Sequence, residues 1–344
     1  MRKPLILGMS LLSALISCKQ ERQSIPGKSV YYWKLNGSQN DLDTQVLNRY
    51  GFQHFYVKLM DVDIDPASQK AGPKASLTNW KALENAWGRL HTPVIFINNN
   101  CLLKIDSAAS LQLARDVDKY VQSFYQQLNI LYQDKVADYS TLQIDCDWTK
   151  STKDQYFYFL KELKALNPRI RLSATLRMYP YKYFEQMGVP PVDELSLMCY
   201  NLGKIKELDT YNSILDTKEL KAYLNDKRSY PKPLNIALPC FGWMVWFRNG
   251  EYKHILYLSD EQLDAAHFSK KANSNRYMAL KDTVIAGQYV RTGDILRSEW
   301  PSQKELQTTI KLLAQKEKAI KRISYFHFDT ALLQKYEPVI NGQQ

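Results

Sequence analysis

The stretch Thr141-Leu142-Gln143-Ile144-Asp145-Cys146-Asp147-Trp148 is an apolar strand pattern that ends in two carboxylates. Successive side chains of a strand point to opposite faces, so Asp145 and Asp147 share one face and Cys146 takes the other. The two acid-bearing Cα atoms then stand about 6.6 Å apart along the chain. Outward from this stretch, short β-branched or aromatic runs alternate with longer helical patterns, as in a parallel sheet flanked by helices. The strand candidates are Val30–Leu35, His54–Leu59, Pro93–Ile97, Leu142–Asp147, Arg171–Thr175, Leu195–Tyr200, Leu234–Leu238 and Ile323–Phe328. Eight such units in about 300 residues predict an α/β chain folded as a single (β/α)8 TIM barrel over residues 29–340.

The intervening helices carry recognisable starts. Ser151 with Asp154, Asp216 with Glu219 and Ser302 with Glu305 have the spacing at which side chains satisfy the free amides of a first helical turn. Ser107–Tyr132 places Leu111, Ala114, Val117, Val121, Phe124 and Leu128 on one face, a helical period. After the seventh strand the pattern breaks. Trp243–Arg248 and Glu251–Leu256 flank Asn249-Gly250, the preferred dipeptide of a two-residue hairpin, and residues 260–300 extend the excursion. An insertion at that end of the barrel walls a cleft.

If the Asp145/Asp147 face looks into the barrel, two acids converge at the C-terminal rim, where barrel enzymes keep their active sites. Adjacent acids repel, which separates their pKa values and allows distinct acid and stabiliser roles. An Asp pair that caps the next helix, or that pairs with a lysine, is the alternative.

Here the chain resembles the family 18 glycoside hydrolases, the chitinase-like barrels. Leu142-Gln143-Ile144-Asp145-Cys146-Asp147-Trp148-Thr149 occupies their D-x-x-D-x-D-W-E strand, Met198-Cys199-Tyr200-Asn201 their M-x-Y-D, and Ala237-Leu238-Pro239-Cys240-Phe241-Gly242 their G-x-P-x-Y-G. It is also similar to an uncharacterised, DUF3142-like bacterial branch of such barrels. The resemblance implies that Asp147 positions a substrate's N-acetyl group and that Tyr200 steadies the resulting intermediate. It implies a general acid at position 149, where this chain has threonine. A threonine hydroxyl delivers no proton at neutral pH, and loss of general acid catalysis costs about 10²–10⁴-fold. Leu142 and Asn201 replace two further family aspartates. The chain is therefore expected to bind and hydrolyse a glycan with an acid from elsewhere, or to bind a glycan without cleaving it.

Asp329 and Asp61 are the foremost substitutes for that acid, each following a strand; Asp63, Asp65, Glu207 and Glu299 are others, and each of the six reads more readily as a solvated loop carboxylate. Two carboxyl groups about 5–9 Å apart suit glycoside hydrolysis. The expected catalytic set is Asp147, Asp145, Tyr200 and Asp329. Trp33, Trp148, Arg177, Asn201, Trp243 and His327 are expected to bind substrate, with Trp246 and Trp300 also near the rim. Flat rings with polar edges suit pyranose faces as well as they suit cores. Arg177 is suited either to an acidic sugar or to pairing with Asp147.

The chain has 344 residues, 45% hydrophobic and 24% charged, which is globular composition and excludes a disordered chain. Beyond the N-terminus, no apolar run approaches the roughly 20 residues of a membrane-spanning helix. At the N-terminus, Arg2 and Lys3 precede an apolar run from Leu5 to Ile16 that closes on Leu15-Ile16-Ser17-Cys18. This is the order of a secretory signal, and its end resembles the bacterial lipobox, where cleavage precedes a lipidated Cys. Residues 1–17 are thus expected to be removed, Cys18 to carry a lipid, and residues 18–28 to form a polar tether. An ordinary signal peptide or a single anchor helix would share the same apolar run. Cleavage leaves 44 basic against 35 acidic residues, a net +9. The expected place is the bacterial cell envelope, anchored to the membrane through Cys18, on either face.

Cys101, Cys146, Cys199 and Cys240 show no shared spacing and read as buried free thiols. Lys311, Lys316, Lys318, Lys321 and Arg322 read as a solvated basic face. No metal, cofactor or nucleic acid is expected, only an oligosaccharide or polysaccharide ligand, and the chain is expected to act as a monomer.

Overall fold

The computed structural model describes residues 27–37, 42, 44–133, 135–226, 228–317 and 320–342. The signal segment, Cys18, most of the tether and Lys318 lie outside the described residues.

Eight parallel strands close into a ring: β1 (Gly27–Tyr32), β2 (His54–Ile64), β3 (His91–Ile97), β4 (Thr141–Asp145), β5 (Arg171–Arg177), β6 (Glu194–Met198), β7 (Leu234–Pro239) and β8 (Ile320–Phe326). Each pairs with its sequence neighbour, and β1 pairs with both β8 and β2, so the sheet has no open edge within the ring. β1 starts at Gly27, so the last two residues expected in the tether already belong to the sheet.

The alternation in β4 explains the layering. Leu142, Ile144 and Cys146 point outward into the main core, among Val117, Val121 and Phe159 of the surrounding helices. Gln143 points inward, accepting from the Tyr31 hydroxyl (2.9 Å) and donating to Ser173 (3.1 Å) and Ser196 (3.0 Å). One layer lower, Glu194 receives Arg322 (2.7 Å) and Arg171 (3.1 Å). Most of the polar groups inside the barrel are thus partnered side chain to side chain, as buried polar groups tend to be, although Asn235 Oδ1 and Arg322 Nε have no partner. Arg322 consequently belongs to the barrel interior, not to a solvated basic face. The four cysteines are free and buried.

Two additions decorate the ring. β2 runs beyond its expected end at Leu59, and its projecting half pairs antiparallel with Ala71–Ser76 outside the ring. After β7, Trp243–Arg248 and Glu251–Leu256 form the expected hairpin, with Asn249 (φ 53°) and Gly250 (φ 81°) in the left-handed conformation this turn demands. They join Ile295–Glu299, Arg276–Ala279 and Phe268–Lys270 in a five-stranded antiparallel sheet. Its separate core includes Met244, Trp246, Leu256, Phe268, Tyr277 and Leu296.

Two of the three expected caps form. Asp216 accepts from Lys218 N–H (2.8 Å), and Ser302 and Glu305 exchange side-chain bonds across the start of Gln303–Lys316. Ser151 does not cap. The helix Lys153–Leu166 starts one residue later, and the Thr152 hydroxyl instead accepts from Thr149 N–H (2.9 Å) and donates to Asn99 (2.6 Å). Ser302→Ala should therefore cost about 1 kcal/mol. The check is a lower urea midpoint at unchanged m-value.

Candidate functional site

The strand ends, the β8 turn and the antiparallel insertion enclose a cleft of about 1030 Å³ at the C-terminal mouth. Among the expected residues, Asp145, Asp147, Tyr200, Asp329, Trp33, Arg177, Asn201, Trp243 and His327 all line it. They come from five barrel strands, the loops that follow them and the start of the insertion, and only the closed ring brings them together.

Asp145 lies at the floor. One edge of its carboxyl opens on the cleft while protein packs around the rest, and the Thr175 hydroxyl donates to it at 2.5 Å. Burial, and secondarily the neighbouring Asp147 charge, push its pKa up to about 7, against the lowering effect of Thr175. Asp147 stands higher and is exposed. The Arg177 guanidinium lies 3.7 Å from it, with both side chains about half open to solvent, a pairing that water screens. Asp147 is therefore available to a ligand. Arg177 is half open to the cleft as well, so this loose pairing leaves its guanidinium facing the same space as Asp147.

Tyr200 stacks on Phe326, and its hydroxyl is kept protonated by burial and by the nearby Asp145. Asn201 takes a left-handed conformation (φ 56°) at the rim. His327 is held neutral by burial despite Asp329 nearby, and its Nδ1 is buried without a hydrogen-bond partner. Asp329 borders the cleft, but its carboxylate caps the helix Thr330–Lys335 by accepting from Leu332 N–H (3.1 Å).

Several expectations are corrected here. Trp148 is core: it is 3% exposed and packs on Tyr156 and Phe157. The strand alternation that turns Asp147 inward turns Trp148 outward with Cys146. Trp246 is buried in the insertion, its indole N–H donating to Asp294 (2.9 Å). Glu299 is fully buried, bonded to Arg297, Ser213 and Trp243. Asp61 is held by the Lys58 ammonium at 3.1 Å, and that ammonium also lies 4.9 Å from the Trp33 ring. Asp63 pairs with Lys74 on the projecting half of β2, Asp65 closes a turn, and Glu207 pairs with Lys204. None of Asp61, Asp63, Asp65, Glu207 or Glu299 borders the cleft. Thr149, at the position of the missing acid, is engaged with the Ser151 hydroxyl (2.9 Å) and also stands outside the lining.

Tyr257, Glu261, Gln262 and Lys335 add to the walls without having been singled out by the sequence pattern, beside Phe241 of the Ala237–Gly242 motif. Tyr257 is 79% exposed, a ring offered to solvent on the insertion side. Lys335 lies 3.9 Å over the Trp300 ring. Gly242 is the one legible signal: a Cβ there would meet the Trp300 ring at 2.2 Å, so only glycine lets that indole close the wall.

The site thus offers a carboxyl poised between its two protonation states near neutrality, an exposed carboxylate beside it, neutral phenol and imidazole groups, and aromatic walls. No family model and no curated protein matches this chain. Solved structures do match. A chitinase from Chromobacterium violaceum is 13% identical, covering 93% of this chain and 98% of its own, with a TM-score of 0.55. The spore cortex-lytic enzyme SleL of Bacillus cereus is 14% identical over 93% of this chain and 75% of its own, and a chitinase from Bacteroides thetaiotaomicron 10% identical over 93% and 96%; both have TM-scores of 0.55. What is shared at these identities is the barrel fold.

Proposed function

We propose that this chain binds an oligosaccharide or polysaccharide in its C-terminal cleft, with Asp147, Asp145 and Tyr200 as the polar floor and Trp33, Trp243 and Tyr257 as stacking faces. The observation that carries this reading is the inward pair Asp145/Asp147 beneath an open mouth lined with rings. Sugars present polar edges and apolar ring faces, and this cleft alternates carboxyl groups with aromatic surfaces. The fold likeness to chitinases supports the same ligand class.

The test is calorimetric titration with soluble β-linked oligosaccharides, N-acetylated ones first. Asp147→Asn should weaken binding by about tenfold or more, the worth of a charged hydrogen bond. Tyr257→Ala should weaken it by a similar factor through lost stacking. Equal affinity in wild type and Asp147→Asn would remove the assignment.

A second reading, hydrolysis, is favoured by the pKa of Asp145. A carboxyl that keeps its proton to about pH 7 supplies a general acid where Thr149 supplies none. Release of reducing ends from a bound oligosaccharide, lost in Asp145→Asn, would extend binding to catalysis.

The sequence order from Arg2 to Cys18 supports a further part of the proposal, that the mature protein begins at a lipidated Cys18 in a bacterial envelope. Mass spectrometry of the membrane-extracted protein checks it directly.

A further inference from the structure

The end of the barrel opposite the cleft combines three features. The first is the entry of the chain. β1 begins at Gly27 on the N-terminal face, and only eight residues separate Cys18 from it. Fully extended, that segment reaches at most about 30 Å. A lipid on Cys18 would therefore hold this face within about 30 Å of a bilayer.

The second feature is exposed aliphatic surface at the same end. Leu90 precedes β3 and is 67% exposed; Ile130 and Leu131 end the helix leading to β4 and are 80% and 52% exposed. Leu166 ends the helix leading to β5 and is exposed as well. In a parallel barrel the helix C-termini and strand N-termini gather at one end, so the topology places these four side chains on one rim.

The third feature is charge. Lys28, Lys135, Arg169 and Lys321 lie at the same strand starts or the turns before them, and none makes an ion pair among the described residues. Two acids of that end are engaged: Asp193 with Lys164, and Glu194 with Arg171 and Arg322. Asp138 and Glu84 remain as solvated carboxylates with no ion pair among the described residues. Basic residues attract anionic phospholipid, worth about 1 kcal/mol per side chain near such a surface, and aliphatic side chains enter the headgroup boundary.

We infer that the N-terminal face of the barrel rests on an anionic phospholipid surface through Leu90, Ile130, Leu131 and the surrounding lysines and arginines, holding the cleft open toward the side away from the membrane. This rests on the proposed lipidation of Cys18 and deepens it, since a lipid and a short tether fix distance whereas the basic, apolar face fixes orientation. A bound chain is then drawn from the space beyond the envelope lipid, never from the bilayer side.

The buried state of Cys101, Cys146, Cys199 and Cys240 makes the test selective, because an added exposed thiol labels alone. Full-length lipidated Leu90→Cys and Val284→Cys proteins are labelled with a fluorophore and reconstituted into phosphatidylethanolamine/phosphatidylglycerol vesicles that carry a headgroup quencher. Val284 lies 69% exposed on the insertion, at the cleft end. Quenching at position 90 is expected to exceed that at 284 by threefold or more, and to fall when phosphatidylglycerol is replaced by phosphatidylcholine. Equal quenching at the two positions, or more at 284, overturns the orientation. Concentration-dependent change at position 90 without vesicles assigns the face to a second copy and also overturns it. Flotation of wild type against Cys18→Ala separates the two ideas: protein that neither floats nor carries a lipid mass refutes the anchor, and the orientation with it. Floating protein with undifferentiated quenching refutes the orientation alone.

Discussion

Arg297→Met is expected to destabilise the fold by about 3–5 kcal/mol, because it leaves Glu299 charged and buried without its partner. Both side chains of this pair are fully buried, with Arg297 Nε 2.8 Å from the Glu299 carboxylate. Arg297 also closes the loop after β6. Its guanidinium donates to the carbonyls of Ile205 (2.9 Å), Leu208 (3.1 Å) and Glu207, and it lies 4.9 Å over the Phe247 ring. Methionine fills the volume but satisfies none of these oxygens, so the loop loses its hold on the insertion. Glu299 in turn accepts from the Trp243 indole N–H at 2.8 Å, which makes this ion pair the support of one cleft wall. Urea unfolding of the single variant should show the full loss, and oligosaccharide binding should weaken alongside it. The double variant Arg297→Met/Glu299→Leu should recover part of the stability, since removing both charges avoids the unpaired one. A single-variant loss below 1 kcal/mol would show that water reaches the pair and that the loop is held by other contacts.

That pair also marks where the sequence stops being readable. Ile295-Leu296-Arg297-Ser298-Glu299 alternates like an edge strand with a wet face, and nothing local says that residues 205–208 will cover it. By contrast, the barrel was legible because its determinants are local and repeated: the strand–helix alternation, the caps at Asp216 and Ser302, and the Asn249-Gly250 turn. Asp145 and Asp147 were legible for the same reason, since pleat alternation fixes their side once Leu142 and Ile144 face the core. Trp148 was misassigned by residue type against that same alternation. Asp61 and Asp63 were misplaced because β2 continues into a pairing with Ala71–Ser76, whose Ala-Gly-Pro-Lys-Ala-Ser composition carries no strand signal. Tyr257 and Lys335 reach one cleft only through the fold. Lines of contact between distant segments were hidden, whereas faces within a segment were not.

Asp145→Asn is expected to change the pH dependence of stability more than any other single replacement in the cleft. Asp145 has a folded pKa of about 7, above the ordinary aspartate value near 3.8, chiefly because burial disfavours its charge. The folded state therefore holds a proton that the unfolded state has released across the interval between those values. Stability that is present below pH 4 is lost as pH rises toward 7, and the loss is complete once the folded carboxyl ionises. The gap corresponds to about 4 kcal/mol. Asparagine keeps an oxygen for the Thr175 hydroxyl but cannot ionise, so the variant escapes this loss. Other carboxylates, among them Asp193 with its backbone and Lys164 hydrogen bonds, have lowered pKa values and act in the opposite direction, but they are common to both proteins. The difference between variant and wild type isolates Asp145. Measured by urea unfolding, it should widen in favour of asparagine by about 4 kcal/mol between pH 4 and pH 8. Parallel profiles would mean that solvent reaches the carboxyl and that its pKa is ordinary, which would also withdraw the case for Asp145 as a proton donor. A wild-type chain that is less stable than its own asparagine variant at pH 8 would instead show a cleft that keeps an acid at a cost to the fold. Such a cost is the kind that a carboxyl kept for ligand chemistry imposes on its fold.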